Sequence, residues 1–262
     1  MRPVSLRLKV ATVDPLPSDE RVAHVVLRDG TGAPCAYGGV DAGTYWVRVP
    51  NVGYFELSAD SDQVRASVSS RASTELVLDG YYGTALPLFA QAVLGYEALH
   101  ASAVVVDGGA VAFCAETGVG KSTIASALGG RGFKPWADDA VAVVGGGSPV
   151  SVFLPFMTEG RTISAVDGWS EVPLAAVCLL ERASRPAIYR PSPSHAVTAL
   201  LSHAYRFAPQ SPERRRKMAQ TYLDIVAGVP ILLVRFPPNR DLLPALLARI
   251  ESAVRNTVSE RG

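Results

Sequence analysis

The feature that most constrains this chain is the stretch 112–123, which reads Ala-Phe-Cys-Ala-Glu-Thr-Gly-Val-Gly-Lys-Ser-Thr. An apolar segment, Ala110 to Cys114, leads into this loop of small residues, and a helical pattern, Ile124 to Leu128, follows it. A strand, a glycine-rich loop ending in Gly-Lys-Ser and a helix form, in that order, the context in which such a loop binds phosphate. The sequence therefore predicts a phosphate-binding loop; a chance glycine-rich turn is the alternative.

The residue types in this loop suit a nucleotide that is bound together with magnesium. Backbone N–H groups of such loops form an anion-binding nest, and the positive end of the next helix reinforces it. Lys121 supplies a charge for the β and γ phosphates, and Ser122 offers a hydroxyl to Mg²⁺. We therefore expect ATP and Mg²⁺ as cofactors. The residues expected at the nucleotide are Ala115, Glu116, Thr117, Gly118, Val119, Gly120, Lys121, Ser122 and Thr123.

One position of the loop departs from the usual pattern. Ala115 stands where the pattern has its first glycine. Because alanine has the smallest side chain that still contains a Cβ, we expect it to be tolerated if its φ is negative. Gly118 and Gly120 remain where the backbone needs angles, or a close approach, that a Cβ would obstruct.

Two adjacent acids, Asp138 and Asp139, come directly before an apolar strand predicted over Ala140 to Val144. Acidic residues at a strand edge are often turn residues and nothing more. Beside a phosphate loop, however, one carboxylate can hold the magnesium ion. Its neighbour points to the other face of an extended chain and can accept the proton of an attacking hydroxyl. The residue types alone leave open which carboxylate has which role.

The length, composition and net charge of the chain limit these hypotheses. Its 262 residues, 48% of them hydrophobic, suffice for one large domain or two small ones with their own cores. The net charge of +1 gives no argument for a nucleic-acid partner. No apolar run reaches the roughly 18 residues of a membrane helix, and Met1 to Val10 lacks the apolar core of a signal peptide. We therefore expect no nucleic-acid partner, no membrane partner and a cytoplasmic location.

The hydrophobic pattern divides the chain into two parts. Short strand patterns separated by turn signals come first, and the last of them is Thr74 to Leu78. The pattern then changes to helical spacing between Gly80 and Tyr96. We predict a β-rich N-terminal lobe, residues 1–80, followed by the domain of the phosphate loop, residues 81–262. A basic run, Arg214 to Lys217, is either a solvated helix face or a surface that receives an acidic peptide.

With these residues in view, the chain resembles the HPr kinase/phosphorylase-like family of serine kinases. Within it, the chain is most similar to the short members associated with the processing of lasso peptides and similar ribosomal peptides. The N-terminal lobe matches only in being rich in strands and in preceding the kinase domain. The match at Tyr205-Arg206 and from Val229 to Pro237 is weaker than the specific matches. The specific matches are Leu99-His100-Ala101-Ser102-Ala103, the loop end Gly118 to Thr123, Arg131-Gly132-Phe133 and Ala137-Asp138-Asp139.

The resemblance implies a mixed α/β fold, in which the β-rich N-terminal lobe precedes a core like that of phosphoenolpyruvate-carboxykinase-like kinases. It implies that Asp138 takes the proton of a serine hydroxyl and that Asp139 and Ser122 face the magnesium ion. Lys121 would face the phosphates, and His100 would lie beside the reacting centre. The acceptor would be a serine of a peptide or small protein, and assembly into a homo-oligomer is a further expectation.

Several alternatives stay open. The start of a buried strand is also a common place for a purely structural histidine, so spacing alone does not assign His100 to the site. The long bifunctional members of the family have a second glycine-rich signature that this sequence lacks, with Glu159 as its nearest substitute. The resemblance therefore does not extend to phosphorylase activity or to HPr as the acceptor. A nucleotide-binding or ATPase module without transfer activity and a small-molecule kinase are the other candidate functions.

Overall fold

The computed structural model describes residues 6–14, 16, 24–28, 31–146, 148–158, 161–163, 170–207 and 211–259, and it has a mixed α/β fold. Its strands are β1 (Arg7–Thr12), β2 (His24–Arg28), β3 (Pro34–Asp41), β4 (Thr44–Val49), β5 (Gly53–Ser58), β6 (Gln63–Val68), β7 (Glu97–Leu99), β8 (Ala101–Val106), β9 (Gly109–Cys114), β10 (Lys134–Ala137), β11 (Val141–Val144), β12 (Val150–Val152), β13 (Phe156–Thr158), β14 (Arg161–Ile163), β15 (Glu171–Arg182), β16 (Ala187–Tyr189) and β17 (Ile231–Phe236). Its helices are α1 (Thr74–Gly80), α2 (Leu86–Leu94), α3 (Lys121–Gly129), α4 (Pro193–Ser202), α5 (Pro212–Gly228) and α6 (Leu243–Ser259), with a π-helical turn at Tyr81–Ala85 and a 3₁₀ turn at Arg240–Leu242.

The first six strands form one sheet, in the order β1-β6-β5-β4-β3-β2. β1 runs parallel to β6, and the other neighbours are antiparallel. Phe55 of this sheet is buried together with Tyr81 and Phe89, which follow the sheet in the chain. The β-rich character predicted for the start of the chain is therefore confirmed, and β3 is a strand that the sequence did not predict. The division of the chain at residue 80 stays a prediction.

The segment Thr74 to Leu78, predicted as a strand, is a helix. Ser73 caps it, because its Oγ accepts a hydrogen bond from the backbone N–H of Leu76 at 3.2 Å. Glu75 adds a negative charge in the first turn, where it faces the positive end of the helix dipole. The strand prediction was wrong because a capping serine satisfies helix N–H groups, and this local effect outweighed the β-propensity of the apolar residues.

The second sheet has nine strands and carries the phosphate loop. Its long strand β15 pairs with two strands, β9 and β17, and runs parallel to both. β8 pairs antiparallel with β9, so that Ala101 lies opposite Cys114 at the end where the loop begins. β10 pairs with β8 through Ala137 and Ala103. The chain leaving β10 at Asp138 therefore starts beside the chain leaving β9 into the loop.

Helices cover both faces of this sheet. One buried cluster joins the sheet to α3 and α6, with Phe113, Leu128 and Ile250 among its members. A second cluster joins it to α4 and α5 through Leu200 and Tyr222. Both faces of β9 and β15 are thus buried, which explains why their sequences are continuously apolar. In the described part of the chain, no helix combines the length and the apolarity needed to cross a membrane.

The basic run on α5 begins with a residue that is structural. Arg214 forms an ion pair with Glu97, whose side chain is 2% exposed, and also donates to the carbonyl oxygen of Tyr96. Gln91 donates to the second carboxylate oxygen of Glu97 at 3.2 Å. The next residues of the run, Arg215 to Lys217, are exposed. The run is therefore partly a solvated helix face, and its first arginine holds α5 against β7.

Replacing Arg214 by methionine is expected to destabilise the fold by about 3 kcal/mol, because Glu97 would stay buried without its cationic partner. Urea unfolding monitored by circular dichroism would measure the loss. The control is Arg215→Met on the same helix, which removes an exposed charge and should change stability by no more than about 0.5 kcal/mol. Equal stability of the two variants would contradict the structural role of the Glu97–Arg214 pair.

Candidate active site

The loop after β9 has the backbone conformation that its glycines permit. Gly118 has a φ of +83° and Gly120 a φ of +118°, values that favour glycine. No atom lies within 4 Å of a Cβ placed on Gly118, so its glycine is required by the backbone angle and not by lack of space. Ala115 is buried, and it is absent from the described non-glycine residues with positive φ. The condition under which alanine is expected to be tolerated there, a φ that is not positive, is therefore met.

Lys121, the first residue of α3, is directed back into the loop. Its Nζ donates to the carbonyl oxygen of Ala115 at 3.2 Å, and the residue is 6% exposed. Burial lowers the pKa of Lys121, and the negative charges of Asp139 and Asp138 oppose that shift. A charge shielded from water interacts more strongly with a neighbouring anion. Lys121 is therefore placed to bind a phosphate that occupies the loop.

One carboxylate oxygen, Oδ1 of Asp138, joins the loop to the sheet. It accepts hydrogen bonds from Ser122 Oγ at 2.7 Å and from Ser102 Oγ at 2.6 Å. It also accepts from the backbone N–H of Asp139 at 3.2 Å. Ser102 lies on β8 and is fully buried, and its Oγ is 3.3 Å from Ser122 Oγ. Asp138 is thus fixed beside the loop by donors from β8, from α3 and from the next residue of its own segment.

Asp139 lies in a strained conformation. Its φ of +62° is left-handed, which is uncommon for a residue with a side chain and often occurs at functional sites. Ala101 donates its backbone N–H to the carbonyl oxygen of Asp139 at 3.3 Å. Tyr205 shares its one hydroxyl proton between that oxygen, at 3.2 Å, and the carbonyl oxygen of Gly83, at 2.9 Å. Asp139 keeps an exposed surface, but desolvation by the protein around its carboxyl raises its pKa, the neighbouring Asp138 raises it further, and Lys121 opposes both. The Asp139 carboxyl therefore binds a proton more readily than an ordinary aspartate does.

The oxygen atoms at this point suit a magnesium ion. Ser122 and the two aspartates supply hydroxyl and carboxylate oxygens, the ligands that Mg²⁺ prefers, and Mg²⁺ commonly takes one or two carboxylates together with substrate phosphates. In the residues that the structure describes, no group of three or more His, Cys, Asp or Glu is arranged to hold a metal. The resemblance pairs Ser122 with Asp139 at the metal; in the structure, the carboxylate in contact with Ser122 is that of Asp138.

His100 lies between β7 and β8, next to the acidic pair. Its backbone N–H donates to the carbonyl oxygen of His203 at 2.7 Å. Its ring packs edge-on against the ring of Tyr205, with the two ring centroids 6.2 Å apart. Burial lowers the pKa of His100 to about 4, with smaller contributions from Lys121 and His203. The imidazole is therefore uncharged at neutral pH. His100 can accept or donate a hydrogen bond there, but it does not act as a cation.

A cavity of about 580 Å³ opens beside the loop. Gly118, Gly120 and Thr123 contribute to its wall together with Phe236 and Arg182. The guanidinium of Arg182 lies over the ring of Phe236, 4.5 Å from its centroid. The volume is within the range of small-molecule sites, and the phosphate loop forms one of its walls. This cavity is the candidate for the rest of the nucleotide.

The structure brings together most of the residues that the sequence singled out. Glu116 and Thr117 lie on the exposed side of the loop, and Glu159 lies outside the described residues. Sequence reasoning missed Ser102 and His203 as parts of the site. Ser102 had a usable signal, because it lies two residues after His100, and residues two apart in a strand share a face. The residues drawn together in space are His100, Ser102, Lys121, Ser122, Asp138, Asp139, His203 and Tyr205.

Replacing Ser102 by alanine is expected to lower the turnover number of phosphate transfer about tenfold, because one of the hydrogen bonds that orient Asp138 is lost. The affinity for ATP should stay within about twofold, since Ser102 does not reach the cavity beside the loop. Steady-state kinetics with separate kcat and KM values would measure both. Ser126→Ala, an exposed change on α3, is the control. A fall in ATP affinity with unchanged kcat would contradict the positioning role of Ser102.

Comparisons with known proteins give little beyond this geometry. No family model matches the chain, and no curated protein matches it. Among solved structures, the Hpr(Ser) kinase/phosphatase from Coxiella burnetii is similar, with a TM-score of 0.38 and 14% sequence identity. The match covers 62% of this chain and 93% of that chain. A likeness at this level carries no argument about what this chain does.

Proposed function

We propose that this protein is an ATP-dependent kinase that transfers the γ phosphate to a hydroxyl, most specifically to a serine of a peptide or small protein. One observation carries the proposal: the serine of a phosphate loop is hydrogen-bonded to the first carboxylate of an acidic pair, and both carboxylates act electrostatically on the lysine of the same loop. A module that only binds nucleotide needs Lys121 and Ser122. It does not need a second carboxylate held beside the first one in a strained backbone conformation.

The proposed reaction assigns a task to each of these residues. Lys121 and the loop N–H groups hold the phosphates, and Ser122 and one aspartate would hold the magnesium ion, which supplies charge neutralisation when it is bound. The acceptor oxygen forms a bond to the γ phosphorus while the bond from that phosphorus to the β,γ-bridging oxygen breaks, and ADP leaves. The second aspartate takes the hydroxyl proton. Such a transfer depends mainly on positioning and charge, which rigid loop and strand ends provide.

The two aspartates can divide these tasks in two ways. The sequence resemblance makes Asp138 the base and Asp139 the metal ligand, and we retain that assignment as the proposal. The hydrogen bond between Ser122 and Asp138 supports the reverse, because it places Asp138 on the side of the metal-binding hydroxyl. The raised pKa of Asp139 also favours the reverse, because a proton acceptor works best when its pKa approaches the working pH. A magnesium titration distinguishes the two assignments and is described in the Discussion.

The acceptor class is tested by incubating the purified protein with Mg²⁺ and γ-labelled ATP in the presence of serine peptides, free serine or simple sugars. Label in a peptide serine is the expected result. Release of labelled inorganic phosphate without any labelled acceptor would favour an ATPase module, and label in free serine or a sugar would favour a small-molecule kinase. A role in ribosomal peptide maturation, a cytoplasmic location and assembly into a homo-oligomer are proposals that rest on the sequence alone.

A further inference from the structure

A second cavity has in its wall Tyr205, a residue whose hydroxyl contacts the backbone of Asp139. Its volume is about 400 Å³, and its wall is formed by β2, by His100 and by the segment that follows α4. Arg28 and Arg206 line it, together with His203 and Tyr205. Among the described residues, it shares no lining residue with the larger cavity beside the loop. A nucleotide in the larger cavity would therefore leave this one available for another molecule.

One hydrogen-bond contact and one electrostatic effect connect the second cavity to the reacting centre. Tyr205, in its wall, shares its one hydroxyl proton between the carbonyl oxygens of Gly83 at 2.9 Å and Asp139 at 3.2 Å. His100 and His203, also in its wall, are joined by the 2.7 Å backbone hydrogen bond. The charge of Lys121 contributes to lowering the pKa of both histidines, which places them within electrostatic reach of the phosphate loop. A molecule in this cavity would thus lie against the residues that hold the acidic pair.

Two arginines give the cavity its charge. Arg28 donates one N–H to the carbonyl oxygen of Gly32 at 2.8 Å. Arg206 likewise donates one N–H to the carbonyl oxygen of Leu201 at 2.9 Å. A guanidinium has five N–H donors, so each arginine is oriented by its backbone contact and keeps donors for a ligand. In the part of the chain that the structure describes, the cavity lining contains no Asp or Glu, and neither arginine has an acidic partner. Both side chains are exposed.

We infer that this cavity binds the phosphate acceptor and that it selects an acceptor with carboxylates close to the reacting hydroxyl, namely a peptide serine flanked by acidic residues. Arg28 and Arg206 form charge-assisted hydrogen bonds to those carboxylates, and the serine hydroxyl extends past Tyr205 toward the acidic pair. Arginine suits this role because its planar fork matches a carboxylate. The inference rests on the proposed kinase function, since it names the acceptor of that reaction.

The test uses two capped peptides of equal length, one with serine between glutamates and the other with serine between glutamines. Binding of each fluorescently labelled peptide is measured by anisotropy at physiological ionic strength, without nucleotide. The wild-type protein should bind the glutamate peptide about tenfold or more tightly than the glutamine peptide. The variant Arg28→Gln/Arg206→Gln should bind both equally. Arg65→Gln, an exposed charge removal on β6, is the control and should keep the preference.

The same peptides are then compared as acceptors, so that this inference and the kinase function can fail separately. Equal binding of both peptides by the wild-type protein, or a preference that survives in the double variant, would overturn the inference. Equal transfer rates to both peptides would overturn it while supporting the kinase. A preference lost in the double variant without any phosphate transfer would support the carboxylate-binding site and contradict the kinase function. A further outcome is that free serine displaces the glutamate peptide from the wild-type protein and fails to bind the double variant. That result would show that the arginines bind carboxylates but would overturn the peptide as the acceptor in favour of a small molecule.

Discussion

Replacing Lys121 by alanine is expected to lower the rate of phosphate transfer by a factor of about 10²–10³ or more, because the buried ammonium that stabilises charge on the transferring phosphate is removed. The residue is 6% exposed, and its Nζ lies 3.2 Å from the carbonyl oxygen of Ala115, so the charge acts inside the loop. Affinity for ATP should fall as well. Transfer rates with labelled ATP and binding by calorimetry would measure both effects.

Two further variants separate chemistry from folding at this position. Lys121→Met keeps most of the side-chain volume without the charge, and it should lose transfer to the same extent as Lys121→Ala. Lys9→Ala removes an exposed lysine on β1 and should retain full activity. Near wild-type transfer in the folded Lys121→Met protein would contradict the assignment of residues 115–123 as the phosphate loop.

Replacing Asp138 by asparagine is expected to abolish transfer, with a loss of several hundredfold or more, while ATP binding remains. Asparagine keeps the shape of the side chain and can still accept from Ser102 and Ser122, but it can neither take a proton nor offer a negative charge to a metal. Transfer to a peptide and ATP affinity are measured on the same preparation. Transfer at the wild-type rate would show that Asp138 has no part in the reaction.

A magnesium titration of Asp138→Asn and Asp139→Asn assigns the roles within the pair. Removal of the base lowers kcat at every magnesium concentration, whereas removal of a metal ligand raises the magnesium concentration needed for the residual rate. If Asp138 is the base, its variant keeps the wild-type magnesium requirement, and the Asp139 variant shifts it. The opposite pattern would establish the reverse assignment, which the contact between Ser122 and Asp138 supports.

Sequence reasoning reached the parts of this protein that depend on neighbours in the chain. The strand–loop–helix unit around Lys121 is local, because β9, the loop and α3 follow one another and each has its own signal. The short strands before residue 70, and the turns that separate them, also have signals in their own stretches of sequence. The acidic pair was identified because it directly precedes the apolar strand β11. The structure confirms these elements, while the functional roles of the site residues remain predictions.

The features that sequence reasoning missed depend on contacts between distant segments. Ser102 meets Asp138 because β8 pairs with both β9 and β10, and no local pattern encodes that pairing. The antiparallel pair of β13 and β14 was not predicted, because each strand is too short to show an alternating pattern. The second cavity combines Arg28 with Arg206, residues that only the packing of the first sheet on the domain of the phosphate loop brings together.

The measurement that most directly tests the central claim is the intact mass of a serine peptide after incubation with ATP, Mg²⁺ and the purified protein, with Asp138→Asn in parallel. The account predicts that the wild-type protein adds the mass of one phosphate to the peptide and that the Asp138→Asn protein, although it still binds ATP, adds none. An unmodified peptide with the wild-type protein, for every serine peptide offered and despite tight nucleotide binding, would contradict the claim that these residues form a kinase site.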